Sequence, residues 1–64
     1  MKSGSELKAI RESLALSVAD VARMTFMTRQ HIYLIEKGGA SPRNYLFLEL
    51  FYEDFQCKKL MHRQ

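Results

Sequence analysis

The side chains best equipped for chemistry crowd into one short stretch: Arg29, Gln30, His31, Tyr33 and Lys37. Together they can donate and accept hydrogen bonds, stack, and neutralise phosphate, and the stretch carries no acid before Glu36. Ile32 and Ile35 are interleaved at helical spacing, so a helix here would bury one stripe and leave the polar set on another. Thr28 is placed to cap that helix, and Gly38-Gly39 to end it with a left-handed stop. A short helix with a core-facing stripe and a polar face is what reading the major groove of DNA requires. An ordinary solvated helix face carries the same residue types, and spacing alone does not separate the two.

Other chemistries are poorly supplied. His31, His62 and Cys57 share no ligand spacing, so no metal site is expected. No acid pair, nucleophile–base set or glycine-rich phosphate loop is present. The expectation is therefore a protein that is not an enzyme, with no cofactor and no small-molecule ligand. A single cysteine, Cys57, rules out an intrachain disulfide framework and fits a reducing cytoplasm, where it would be a packed or surface thiol. No apolar run approaches the ~20 residues of a membrane span, and no signal-peptide pattern opens the chain. A net charge of +3 with a pI near 9.3 permits nucleic-acid binding without demanding it.

The elements that must position the polar set come next. Ser17 and Asp20 form a capping box for a preceding helix, with Val21, Ala22 and Met24 or Thr25 on one face. Phe26-Met27 breaks its period. Upstream, Ser3 and Glu6 offer another capping box after a frayed start over Met1 to Gly4. Leu7, Ile10, Leu14 and Ala15 mark the inner face of a first helix, and Leu16-Ser17 is a tight junction. Gly38 to Ser41 is a small polar loop, Pro42 suits a helix start, and Asn44 is a candidate cap just after it. From Tyr45 the pattern changes: Tyr45, Leu46, Phe47, Leu48, Leu50, Phe51, Tyr52 and Phe55 would surround any helix they form. A strand stays open there because Tyr45 to Tyr52 partly alternates, but recurring Leu and Glu without turn signals favour helix. The basic tail from Lys58 to Gln64 is either a short last helix or disorder, and the four methionines read as core filler. One domain over 1–64 is all this length allows, and some of its apolar surface needs a partner.

From Leu7 to about Leu50 the chain resembles the phage repressor and Cro class of helix-turn-helix domains, the XRE family. The matching residues are Leu7, Arg11, Leu14, Leu16-Ser17, Val21-Ala22, Met27-Thr28-Arg29-Gln30, Ile32, Ile35-Glu36-Lys37-Gly38 and Ser41-Pro42. The resemblance implies an all-α, four- to five-helix, lambda-repressor-like bundle, or one with a β-rich C-terminal part as in some Cro proteins. It implies a double-stranded DNA-binding regulator acting as a homodimer on an inverted-repeat operator, with 45–60 as dimerisation segment. Arg29 and Gln30 would reach base edges, Ser17 and Thr28 would meet phosphate, and His31 and Tyr33 would touch base, methyl or phosphate. Lys37 and Arg43 would hold the backbone on the flank, Leu34 would meet a thymine methyl or pack, and Arg11 would pair with Glu36. Two positions depart from the family. Phe26 stands where a glycine is usual, and Val18 where a phosphate-binding glutamine is often found. An antitoxin-type module, whose apolar C-terminal segment binds a partner protein, is the competing expectation.

Overall fold

Each of the first three helices begins where a short polar side chain can satisfy a free amide. In the computed structural model, which describes residues 2–61 with side chains through Lys58, helix α1 spans Gly4–Ser13, α2 Val18–Thr25, α3 Arg29–Lys37 and α4 Pro42–Met61. Ser3 Oγ accepts from the Glu6 amide at 3.3 Å while Glu6 Oε1 accepts from the Ser3 amide at 3.2 Å. Ser17 and Asp20 repeat the exchange at 3.0 Å in both directions, and Thr28 Oγ1 accepts from the His31 amide at 3.1 Å. These hydrogen bonds hold the Glu6 and Asp20 carboxyls below their ordinary range, the backbone contribution from Ser3 and Ser17 being largest. Residue 1 and residues 62–64 lie outside the described residues, and with them the expectations for Met1 and for the end of the basic tail.

The same three helices end by one shared device. After α1, the Leu16 amide bonds back to the Arg11 carbonyl at 3.1 Å and the Ala15 amide to Glu12 at 3.0 Å. After α2, the Met27 amide reaches the Ala22 carbonyl at 3.1 Å; after α3, the Gly39 amide reaches Leu34 at 3.0 Å. Each closure needs a residue with positive φ just past the helix. Those residues are Ala15 at φ 60°, Phe26 at φ 61° and Gly38 at φ 91°. Only one of the three is the glycine that L-residue sterics favour. Ala15 is thus not on the inner face of α1, as the spacing suggested, but exposed in the turn.

The core is nine side chains: Leu7, Leu14, Val18, Val21, Ala22, Ile32, Ile35, Leu48 and Tyr52. Helix α1 is the hub, packing on α3 and on α4, while α2 packs on α3. Tyr45, Phe51 and Phe55 lie half-buried against this core. Thr25, not Met24, completes the inner face of α2: Thr25 is half-buried with its hydroxyl on the Val21 carbonyl, and Met24 is exposed. Met27 packs on the core and Met24 does not, so the methionines are only partly filler.

Three further expectations are corrected. The start is not frayed through Gly4: Gly4 is buried as the first residue of α1, and the Lys2 amide donates to Glu49 Oε1 of α4 at 3.0 Å. A Cβ at Gly4 would collide with the Ile35 carbonyl oxygen and lie 2.6 Å from that of Glu36, so only glycine lets α1 approach the end of α3. Asn44 is not a cap, since α4 has already begun at Pro42; its side-chain amide donates to Ser41 Oγ at 3.3 Å. Finally, 45–60 is neither strand nor two helices. It belongs to one 20-residue helix, and among the described residues there is no strand. Proline at the first helical position and the absence of glycine through residue 61 let it run on. The fold is all-α.

Candidate nucleic-acid interface

At about 100° per residue, Ile32 and Ile35 fall on one side of α3 and Arg29, Gln30, Tyr33, Leu34 and Lys37 on the other. Burial follows that division. Ile32 and Ile35 are fully buried, while the other five are exposed, Tyr33 at 50% and Leu34 at 48%. His31 falls between the two sides and is half-buried, so it flanks the outward face rather than belonging to it. Leu34 leans toward the helix end, where its side chain approaches Gly39.

What holds α3 in place is an ion pair. Arg11 Nε lies 2.7 Å from Glu36 Oε2, with the two side chains 10% and 5% exposed. The Arg11 guanidinium also donates to the Leu16 carbonyl at 2.9 Å, so one side chain joins α1, the α1–α2 turn and the last turn of α3. The hydrogen bond to Glu36 pushes the Arg11 pKa up despite desolvation. Removing either partner would strand a buried charge, typically a loss of about 3–5 kcal/mol.

Beside that pair opens a cleft of about 490 Å³, lined by Lys8, Arg11, Ser17, Val18, Ala19, Arg29, Tyr33, Glu36 and Lys37. Arg11 and Glu36 neutralise one another. Lys8, Arg29 and Lys37 have no carboxylate within ion-pair distance among the described residues, so the rim is cationic. The N-terminus of α2 faces the same cleft. Ser17 Oγ is used by the Asp20 amide, which leaves Val18 and Ala19 as first-turn amides without an intrahelical acceptor. Free amides, a helix N-terminus and three cations around one concavity suit an anionic oxygen such as phosphate.

Of the residues singled out in the sequence, the structure brings Ser17, Arg29, Tyr33 and Lys37 together at the cleft, and Gln30 joins them on the outward face of α3. Thr28 is exposed at the N-terminus of α3. Arg43, exposed in the first turn of α4, is not among the cleft residues. Val18 is buried, its side chain in the core and its helix turn at the cleft. Sequence reasoning missed Lys8. Its signal was the three-residue step to Arg11, which puts both on one side of α1. Among the described residues no three His, Cys, Asp or Glu side chains gather as metal ligands, and no helix is long and apolar enough to cross a membrane. Comparison with models of protein families, with curated proteins and with solved structures finds no match to this chain.

Proposed function

We propose that the protein is a sequence-specific double-stranded DNA-binding regulator of the helix-turn-helix kind, and that α3 is its recognition helix. The observation that carries the reading is the outward face of α3 bordering a cationic cleft that also receives the N-terminus of α2. Phosphate held in that cleft by Lys8, Arg29, Lys37 and the Val18 and Ala19 amides would fix the orientation of the domain without reading sequence. Arg29 and Gln30, in the first turn of α3, would then meet base edges: arginine matches the two acceptors of guanine, glutamine the donor–acceptor pair of adenine. The sequence resemblance to phage repressors and Cro proteins supports the same reading. In this reading two copies occupy successive major grooves of an inverted repeat and repress by occluding the polymerase.

The test is selection from random duplex DNA on the purified protein, followed by sequencing. The expected result is an inverted repeat with half-site centres about one helical turn, ~34 Å, apart. A bound pool no different from the input would overturn the proposal. The antitoxin-type alternative draws on the exposed Leu46, Phe47 and Leu50 of α4, which a different protein could cover.

A further inference from the structure

Helix α4 is apolar on two sides, and the domain uses one of them. Leu48, Tyr52 and Phe55 face the core, with Leu48 at 0% and Tyr52 at 1% exposure. About 100° per residue places Arg43, Leu46, Phe47, Leu50 and Asp54 on the opposite side, with Phe51 at its edge. There Leu46, Phe47 and Leu50 are 48%, 45% and 56% exposed. The stripe has an order: a cation at its N-terminal end, apolar side chains in the middle, an acid at its C-terminal end. That order is complementary to itself when reversed.

We infer that this stripe is covered by the same stripe of a second copy, antiparallel, in the register that sets Arg43 against the partner's Asp54, Leu46 against the partner's Phe51 and Phe47 against the partner's Leu50. A two-fold axis makes each of these contacts twice. Sliding one helix by a turn in one direction sets Leu46 against an aspartate; in the other it sets Arg43 against a leucine. Only the stated register puts apolar on apolar and opposite charges together. Asp54 already holds Lys58 of its own helix at 3.1 Å, an exposed pair that leaves carboxylate surface for a second cation. Arg43 is thereby assigned to assembly and not to DNA. A standard interface covers about 800 Å² per partner, roughly a sixth of the 4628 Å² surface of this chain. One helix stripe offers less, so the free dimer is weak and concentration-dependent.

The inference deepens the proposed function, resting on its second copy but not on DNA, so the test uses protein alone. Sedimentation equilibrium of the full chain across a concentration series should show the mass rising from 7.5 kDa toward twice that value. Leu50→Lys should hold the mass at the monomer while leaving the thermal melt intact, because Leu50 is exposed. Arg43→Asp and Asp54→Arg should each weaken dimerisation, and the double exchange should recover it. A wild type that stays monomeric, including one that pairs only with another protein, overturns the inference; so does a dimer indifferent to Leu50→Lys. A dimer lost with Leu50→Lys but not rescued by the double exchange overturns the register. If the chain dimerises yet selects no DNA, the proposed function fails and this inference stands.

Discussion

Phe26 sets the terms at the scale of single residues. Its ring is 97% exposed and its backbone left-handed, so it contributes strain and no burial. A left-handed L-residue costs ~1–2 kcal/mol, and glycine in its place would lose roughly 0.5–1 kcal/mol of chain entropy on folding. The first effect wins. Phe26→Gly should therefore raise stability by ~0.5–1 kcal/mol, a rise of roughly 3–6 °C in melting temperature for a domain this small. A fall in the melt would mean that the ring is covered. Tyr52 presents the opposite case, a side chain fully used except for its last atom. Its hydroxyl is buried without a hydrogen-bond partner among the described residues. Burial above all, with Glu36 adding and Arg11 opposing, pushes its pKa up from 10.0 to about 12. The native state thus keeps a proton that the unfolded chain sheds above pH 10. The Tyr52 contribution is full below that point and is lost as pH rises through about 12. Tyr52→Phe should leave stability near neutrality unchanged or slightly higher and flatten the alkaline fall. Urea denaturation of both proteins at about pH 7 and about pH 11 checks it, and parallel losses in the two would refute it.

At the scale of elements, the work of α3 divides between its first turn and the cleft. Arg29→Ala or Gln30→Ala should cost ~1–3 kcal/mol on the selected site and relax its sequence preference locally. Lys37→Ala and Lys8→Ala should instead weaken binding to every sequence and lower the salt slope by about 0.9 for each phosphate left without its cation. Electrophoretic titration at several salt concentrations separates the two classes, and equal losses on specific and random duplexes for all four would count against direct readout. Helix starts were legible in the sequence because each is a local exchange: Ser3 with Glu6, Ser17 with Asp20, Thr28 with His31. Helix ends were less so. A left-handed residue announces itself when it is Gly38, not when it is Ala15. Lys8 and Gly4 were harder still, since each owes its place to α3, more than twenty residues away in the chain. The apolar run from Tyr45 showed that α4 had more to bury than one face could take. Which residues were core waited on where α1 lies against it, and that is a tertiary fact.

At the scale of the whole molecule, α1 joins the parts that the two proposals use. The Arg11–Glu36 pair ties it to α3, and the Lys2 amide ties the chain just before it to Glu49 of α4. The outward faces of α3 and α4 are therefore fixed relative to one another through a third helix, as a paired reader of evenly spaced half-sites requires. Cys57, the one cysteine of the chain, is exposed near the end of α4. That makes it a ruler. In the antiparallel register it lies opposite position 40 of the partner, about 17 residues from the partner's Cys57, or ~25 Å along the helix axis at ~1.5 Å per residue. Parallel helices would instead hold the two sulfurs side by side, within the ~8–10 Å spacing of packed helix axes. A nitroxide on each thiol and one dipolar coupling measurement in solution would then report the direction of pairing, with no residue replaced.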